Sequence, residues 1–294
     1  MDNLAYDERK VECFKKWIQY APHPIERVEI PFGDRSLPAY LHLPRGWNGE
    51  RVPCVLSIDG MDGFKEMMHS MYGDKILERG IASLAIDGPG QGECCTRDIH
   101  VTADNFKDAG RACLAWLRER PEIDPDRIAT VGVSFGSYWA TQVAMADDRL
   151  RGCAVTYVCH EPGAHTIFNM ASPTFKLRFM YMAGYEDEDA FDRFAEGFRL
   201  DGRDVRCPVL IQAGEDDELS PIEHTYELFD QIAQPKKLVV YQGERHAFSG
   251  PAGALGPFWL TMVADWLQDR LDGKPMASER VLVDTTGRQH VTPV

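Results

Sequence analysis

The sequence predicts an α/β fold, in which a mostly parallel central sheet has helices on both faces and carries a small helical cap. Short apolar runs alternate with helix-length amphipathic runs from residue 52 to residue 271. The apolar runs lack the polar alternation of a half-exposed strand, which is typical of parallel strands buried on both faces. The alternation is interrupted once, over residues 160–203.

The first elements precede this alternation. Residues 4–19 place apolar side chains near one face of a helix, so we predict a helical extension within residues 1–25. The runs VEIPF (28–32) and LPAYLHLP (37–44) predict a hairpin with a Gly-Asp turn. This hairpin would add antiparallel strands to one edge of the sheet.

Strand-helix units then build a core over residues 26–159 and 204–272. Turn residues and the switch between the two hydrophobic periods mark the boundaries of each unit. The predicted strands are VPCVLSIDG, IASLAID, RIATVGV, GCAVTYV, CPVLIQAG and KLVVYQ, and the predicted helices are EMMHSMYGDKILERG, NFKDAGRACLAWLRER, FGSYWATQVAMA, IEHTYELFDQI and FWLTMVADWLQDRL.

Two segments are expected outside this core. Residues 160–203 combine aromatic side chains with helical patches and predict a cap over the carboxyl ends of the strands, where open α/β sheets bind ligands. Residues 273–294 form a tail after the last predicted helix. The run RVLVD in that tail is compatible with an added strand, with a contact to a neighbouring subunit, or with disorder.

Composition narrows the class of protein. The net charge of −14 disfavours nucleic-acid binding, which needs a cationic surface. No apolar run reaches the length of a membrane span, and the start MDNLAYDERK lacks the apolar centre of a signal peptide, so we expect a cytoplasmic protein. The eight cysteines show no metal-ligand spacing, so we expect no metal. Cys54, Cys153 and Cys207 lie in or beside apolar runs and are expected to be reduced core residues.

The stretch GVSFG (132–136) lies between an apolar strand and an apolar helix. Such a strand-turn-helix context is typical of a nucleophile elbow, in which a serine occupies a tight, strained turn. Side chains two residues before and after the serine would collide in that turn, so glycine is needed at both positions. Ser134 is therefore the predicted nucleophile.

A serine hydroxyl needs a base and an acid, which on this fold follow in the order Ser, acid, His. Asp217 follows the strand CPVLIQAG and is the favoured acid, with Asp216 as its rival. His246 follows the strand KLVVYQ and is the predicted base. Each predicted residue comes directly after a strand.

An oxyanion hole completes the predicted site. The backbone N–H of Phe135, which follows the nucleophile, is one expected donor. The loop DGMDGFKE (59–66) should supply the other, where the pair Gly60-Met61 points to the N–H of Met61. Many hydrolases begin this loop with His-Gly, whereas this chain has Asp59 before Gly60.

Two further stretches, DGMDGFKE (59–66) and LAIDGPGQGE (84–93), indicate to which family the chain is similar. With the elbow, they make the chain similar to the α/β-hydrolase group of the FrsA-like esterases, 2,6-dihydropseudooxynicotine hydrolase and the fungal polyketide-shortening hydrolases. The resemblance implies a serine hydrolase with no cofactor, and it allows a homodimer. Some members of this group cleave esters, whereas others cleave a C–C bond next to a ketone.

The resemblance also points to residues after the sixth strand. A glutamate near that position contributes to catalysis in the nicotine-pathway relative, and Glu161 in VTYVCHEPG holds a comparable place; the alternative is a hinge residue of the cap. His160 and His165 are further candidates for lining the pocket. The N-terminal helical part is much shorter here than in that relative, so the same substrate is not implied.

These observations predict a hydrolase that acts on a small, apolar or aromatic ester or ketone through an acyl-enzyme. The expected partner is a small-molecule substrate, with neither nucleic acid nor membrane. A thioesterase, acyltransferase or peptidase on the same fold is an alternative, and a non-catalytic binding scaffold is a remote one. The sequence leaves open whether a C–O or a C–C bond is cleaved.

Overall fold

A computed structural model describes residues 3–68 and 73–294 of the chain. Within these residues one sheet has the strand order β1-β2-β4-β3-β5-β6-β7-β8-β9-β10. The strands are β1 (Ile25–Phe32), β2 (Arg35–His42), β3 (Val52–Ile58), β4 (Ala82–Ile86), β5 (Ile123–Val133), β6 (Cys153–Thr156), β7 (Val209–Gly214), β8 (Lys236–Tyr241), β9 (Glu279–Val283) and β10 (Gln289–Pro293).

The centre of the sheet is parallel, and its two edges are antiparallel. Strand β3 pairs in parallel with β4 and β5, and parallel pairing continues from β5 through β9. The hairpin β1-β2 attaches to β4 in antiparallel orientation. The carboxyl ends of the parallel strands therefore meet at one edge of the sheet.

Helices cover both faces of this sheet. The helices are α1 (Asn3–Ile18), α2 (Lys65–Met68), α3 (Asp74–Leu77), α4 (Gly92–Thr96), α5 (Phe106–Glu119), α6 (Phe135–Ala146), α7 (Pro173–Ala183), α8 (Glu188–Ala195), α9 (Ile222–Gln231), α10 (Pro251–Leu255) and α11 (Trp259–Leu271). The helix predicted over residues 66–80 lies in part outside the described residues, which contain α2 and α3 on either side of the gap.

Successive side chains of β3 point alternately into two hydrophobic cores, one on each face of the sheet. Leu56 and Ile58 join a cluster that includes Trp139 of α6, whereas Val55 joins a second cluster that includes Leu267 of α11. Successive side chains of a strand point to opposite faces, so each face of the sheet packs against its own helix layer. This packing confirms the predicted α/β class.

The segment between β6 and β7 is helical. It contains a 3₁₀ turn (Pro162–Ala164), a π-helical turn (Thr166–Met170), α7, α8 and a second 3₁₀ turn (Gly202–Asp204). Four of its aromatic rings are buried, those of Phe168, Phe179, Phe191 and Phe198. These rings pack on one another, so they serve to hold the cap together.

The C-terminal tail differs from the expectation that it lies outside the core fold. Strand β9 pairs in parallel with β8, and β10 pairs antiparallel with β9. Val281 and Val283 are buried. The run RVLVD thus extends the sheet, because its alternate valines cover apolar surface next to β8 that would otherwise be exposed.

No helix among residues 3–68 and 73–294 combines the length and the apolar character that a bilayer crossing requires.

Candidate active site

Ser134 lies between β5 and α6 in a backbone conformation that is rare for a residue with a side chain. Its φ is 53° and its ψ is −129°. This strained geometry turns the chain sharply, so the hydroxyl stands at the carboxyl edge of the sheet. The backbone N–H of Ser134 donates to the carbonyl of Thr156 at 2.9 Å, which ties the turn to the neighbouring strand β6.

The two glycines of the turn are explained by close packing. A Cβ at Gly132 would overlap the carbonyl oxygen of Gly136, directly across the turn. A Cβ at Gly136 would overlap the carbonyl oxygens of Ile58 and Asp59 at the end of β3. Any larger residue would therefore push the turn away from the sheet.

His246 follows β8 and contacts both other predicted triad members. Its Nε2 lies 2.9 Å from Ser134 Oγ, and its Nδ1 lies 2.8 Å from Asp217 Oδ2. The imidazole is thus placed to take a proton from the serine while the carboxylate fixes its orientation. Three residues far apart in the sequence form one hydrogen-bonded chain.

The geometry separates Asp217 from its rival Asp216. Asp217 is buried, and its second oxygen, Oδ1, accepts the backbone N–H groups of Leu219 at 2.9 Å and Ser220 at 3.3 Å. Asp216 is exposed to solvent. Backbone donors hold the Asp217 carboxylate in place, so it is the better orienting group for an imidazole.

Glu244 holds the His246 loop, a role that the sequence analysis did not predict. The side chain is 1% exposed. Its two carboxylate oxygens accept the N–H groups of Gly250 at 2.6 Å and Gly253 at 2.9 Å. The carboxylate therefore ties both ends of the loop together around the histidine. The sequence does contain an acidic residue, Glu244, followed by Gly250 and Gly253. Only the folded loop brings the carboxylate to the two glycine N–H groups.

The two expected oxyanion donors flank the serine. Phe135 begins α6, so its N–H has no acceptor inside the helix and is available at the helix N-terminus. Gly60 approaches the serine closely from the other side: a Cβ placed there would lie 3.0 Å from Ser134 Cβ and 3.4 Å from Ser134 Oγ. The loop carrying Met61 thus passes directly beside the hydroxyl.

The cap contacts both donor residues through neighbouring positions of α7. The ring of Phe179 lies 4.7 Å from the ring of Phe135, centroid to centroid. Arg178 Nε donates to the carbonyl oxygen of Met61 at 3.3 Å. The cap therefore packs against the site and is part of its wall.

Asp59 begins the loop of residues 59–64, at a position where many hydrolases have a histidine. It is buried, and its Oδ1 accepts the N–H of Gly60 at 2.7 Å. Burial raises the pKa of Asp59 to about 6, and the nearby charge of Asp87 adds to the effect. The Asp59 side chain thus accepts a hydrogen bond from the loop backbone. The expected oxyanion donors, the N–H groups of Met61 and Phe135, do not depend on a histidine at this position.

A buried ion cluster joins the loop after β3 to the loop after β4. Lys65 is fully buried, and its Nζ lies 2.8 Å from Asp87 Oδ2 and 3.0 Å from both Glu93 Oε1 and Glu66 Oε1. A charge without water needs such partners, so the cluster fixes the two loops relative to each other. Sequence reasoning missed it because the ion pairs span two separate loops.

Glu161 and His160 follow β6, at the same edge of the sheet. Both Glu161 carboxylate oxygens engage Thr166, through the backbone N–H at 2.7 Å and the hydroxyl at 3.0 Å. Burial lowers the pKa of His160 to about 3, and its Nδ1 lies 3.3 Å from Thr225 Oγ1. His160 is therefore neutral near pH 7, and His165 is exposed on the cap.

An aromatic cluster adjoins the imidazole of His246 through Tyr157. The ring of Tyr157 lies 5.9 Å from that of His246 and 4.9 Å from that of Trp259, centroid to centroid. Phe248 packs edge-on against Tyr157 at 4.5 Å. These three rings form an aromatic wall that adjoins His246 through Tyr157. Within the described part of the chain, no group of His, Cys, Asp and Glu side chains is arranged to hold a metal ion.

Comparison with known proteins places the chain in a family. The family described as esterase FrsA-like matches residues 2–243. The hydrolase acrC of Aspergillus aculeatus is 28% identical over 92% of this chain and 76% of its own length. The 2,6-dihydropseudooxynicotine hydrolase of Paenarthrobacter nicotinovorans is 29% identical over 92% of this chain and 71% of its own length.

A solved structure agrees with these relatives. The crystal structure of a 2,6-dihydroxy-pseudo-oxynicotine hydrolase superposes with a TM-score of 0.79 and 25% identity, over 91% of this chain and 74% of the other. Fold, family profile and relatives therefore converge. The chain belongs to the FrsA-like esterase family and is a hydrolase with the α/β-hydrolase fold.

Proposed function

We propose that this hydrolase works through an acyl-enzyme on Ser134, with His246 as the general base and acid and Asp217 as its orienting partner. The observation that carries the proposal is the hydrogen-bonded chain from Ser134 Oγ to His246 at 2.9 Å and on to Asp217 at 2.8 Å. The strained turn of Ser134 supports it, because the strain has no evident structural benefit.

In the first half-reaction, Ser134 Oγ attacks the carbonyl carbon and His246 Nε2 takes the hydroxyl proton. The tetrahedral intermediate collapses when His246 gives that proton to the leaving group. In the second half-reaction, His246 deprotonates a water molecule that attacks the acyl-enzyme. The carboxylic acid leaves and Ser134 regains its proton. The backbone N–H groups of Met61 and Phe135 would stabilise the negative oxygen in both intermediates.

We propose a small apolar or aromatic ester or ketone as the substrate. The support is the aromatic wall of Tyr157, Phe248 and Trp259 beside His246. The buried cap aromatics contribute less, since they are occupied in packing on one another and on Phe135.

Cleavage of an ester C–O bond needs no group beyond the triad and the oxyanion donors. Cleavage of a C–C bond next to a ketone releases a carbanion that must be stabilised as an enolate, so it needs a further polar group. Glu161 is the candidate for that role. Its carboxylate is bonded to Thr166, so it would have to release that contact to act on substrate. The geometry therefore favours ester hydrolysis as the first activity to test.

The test is Ser134→Ala beside wild type, with Ser36→Ala as a matched control, because the hydroxyl of Ser36 bonds Glu29 in the β1-β2 hairpin far from the triad. A fluorophosphonate probe reports the reactive serine, and p-nitrophenyl acetate and butyrate report ester turnover. We expect Ser134→Ala to lose labelling and to lower kcat by about 10⁴-fold or more. The Ser36→Ala variant should match wild type.

Other outcomes divide the alternatives. Labelling with poor ester turnover, but cleavage of an aromatic β-diketone, would move the assignment to C–C hydrolysis and make Glu161→Gln the next variant. Faster turnover of thioester or peptide substrates would favour those classes on the same fold. Wild type that is never labelled, or Ser134→Ala with nearly full activity, would overturn the serine mechanism.

A further inference from the structure

We infer that Gln91 is a positioning residue that aims the Met61 N–H at the reacting oxygen. The inference deepens the proposed function, because it assigns a side chain to the oxyanion hole on which that function rests. Gln91 lies in the DGPGQGE loop after β4, immediately before α4, and is 1% exposed. It contacts no member of the triad directly, so its role is to hold another group in place.

The side-chain amide of Gln91 is fully engaged by backbone groups of two loops. Its Nε2 donates to the carbonyl oxygens of Asp59 at 2.8 Å and Gly60 at 3.0 Å. Its Oε1 accepts the N–H of Gly88 at 3.1 Å. With the amide turned by 180°, its oxygen would face the two carbonyl oxygens and its NH₂ group would face the N–H of Gly88. The contacts therefore fix the orientation of the amide.

The contact with Gly60 matters because of the peptide bond that follows it. The carbonyl of Gly60 and the N–H of Met61 belong to the same planar trans peptide, so they point in opposite directions. A donor that fixes the Gly60 oxygen on one side therefore fixes the direction of the Met61 N–H on the other. Gly60 lies beside Ser134, since a Cβ placed on it would be 3.4 Å from Ser134 Oγ, so the peptide that follows Gly60 adjoins the reacting hydroxyl.

The same contacts also strengthen the donor. The Gly60 oxygen accepts a second bond, from the N–H of Gly63 at 3.2 Å. Hydrogen bonds to a peptide oxygen polarise the peptide and make its N–H more positive. Gln91 thus acts on both the direction and the strength of the expected donor.

The loop that carries Gln91 is itself fixed by an ion pair and by backbone hydrogen bonds. The Lys65-Asp87 ion pair joins the same two loops, and Asp87 Oδ2 accepts the N–H of Glu93 at 3.0 Å, two residues after Gln91. The backbone oxygen of Gln91 accepts the N–H of Cys94 at 2.8 Å. A carboxylate at position 91 would repel the two carbonyl oxygens, and asparagine would be one methylene too short.

The test compares Gln91→Met with Gln142→Met. Methionine keeps the length and removes the donors. Gln142 lies in the second half of α6 and is equally buried, and its Nε2 also donates to a backbone carbonyl, that of Ala103. The probe is a fluorophosphonate, whose phosphoryl oxygen uses the same hole and whose reaction requires no natural substrate. The kcat and KM for p-nitrophenyl butyrate and the melting temperature are measured in parallel.

We expect Gln91→Met to slow labelling of Ser134 and to lower kcat by about 10- to 100-fold, less than the ~10²–10³ that follows deletion of a donor. KM should change less than about threefold, since the hole acts in the transition state. A merely structural role would lower the melting temperature of both variants and leave the labelling rate of folded protein unchanged. Labelling and kcat within threefold of wild type would overturn the inference, as would a loss equal to that of Gln142→Met.

If Gln91→Met does not fold, Gln91→Asn serves in its place, because its amide is uncharged but one methylene too short to reach the carbonyl oxygen of Gly60. The same fall in labelling rate is expected, and a wild-type rate would refute the role. The result is distinguishable from failure of the proposed function. That function fails if wild-type Ser134 is not labelled at all, whereas this inference fails if Gln91→Met is labelled as fast as wild type.

Discussion

Two loops meet at Ser134, and they are held in different ways. The elbow, residues 132–136, is fixed by its own backbone, where two glycines pack tightly against the turn and the end of β3. The oxyanion loop, residues 59–64, has no regular secondary structure and is held by side chains from elsewhere. Gln91 bonds two of its carbonyl groups and Arg178 bonds a third.

The difference teaches how each loop should respond to substitution. The two glycines of the elbow pack so closely against the turn and the end of β3 that no Cβ can be accommodated, so a change in the elbow should abolish the geometry. The oxyanion loop is held by several separate hydrogen bonds. The loss of one of them should therefore lower kcat only in part. Beyond the Ser134 and Gln91 variants proposed above, Gly136→Ala tests the elbow, Glu244→Ala extends the comparison to the His246 loop, and Asp59→Asn tests the oxyanion loop, in order of expected effect.

Gly136→Ala should give the largest loss, because its methyl group would overlap the carbonyl oxygens of Ile58 and Asp59. Displacement of Ser134 by about 1 Å would lower kcat by ~10²-fold or more. Gly80→Ala is the control, since Gly80 has open space and a φ of +70° and should cost only about 1–2 kcal/mol of stability. Esterase kinetics with urea unfolding separate the two, and normal kcat in Gly136→Ala would contradict the contrast.

Glu244→Ala should have a smaller effect, on the third loop of the site. It removes two buried charge-assisted bonds, to the N–H groups of Gly250 and Gly253, and should lower the free energy of unfolding by about 3 kcal/mol. We expect kcat to fall about 10-fold as the His246 loop loosens. Glu215→Ala removes a similar bond to Gly243 at an exposed position and should change little. Equal effects in the two variants would refute the role.

Asp59→Asn should give the smallest effect, and it depends on pH. Burial raises the pKa of folded Asp59 from 3.8 to about 6, so its contribution to stability is greatest below pH 3.8 and is lost as the pH rises through about 6. Wild type should therefore lose about 1 kcal/mol relative to Asp59→Asn between pH 5 and pH 7.5. Urea unfolding of both proteins at the two pH values measures this change. The same difference in unfolding free energy at both pH values would show that the pKa of Asp59 is not raised.

Part of the site followed from sequence because the sheet is parallel. The loops after β3, β5, β6, β7 and β8 all open at one edge, so residues placed directly after strands are brought together. This reasoning led to Ser134, Asp217 and His246, which the structure joins in one hydrogen-bonded chain. The choice between Asp216 and Asp217 needed the fold, since neighbouring residues of one loop differ in the direction of their side chains.

Other features lay beyond the sequence for a common reason. The pairing of Gln91 with Gly60, of Lys65 with Asp87 and of Glu244 with Gly250 joins residues whose types are unremarkable by themselves. The tail shows the same limit, because a short apolar run is compatible with a strand, an interface or disorder until β8 presents an open edge.

The sequence by itself determined the order of the main strands and helices up to residue 271, the tight turn at Ser134 and the strand ends that carry the site, because hydrophobic period and turn geometry act over a few neighbouring residues. The tertiary structure alone decided which side chains hold the oxyanion loop, how the cap reaches Met61 and Phe135, and where the tail lies. Those choices depend on contacts between distant segments, whose distances and directions are set only when the sheet and its helix layers have packed.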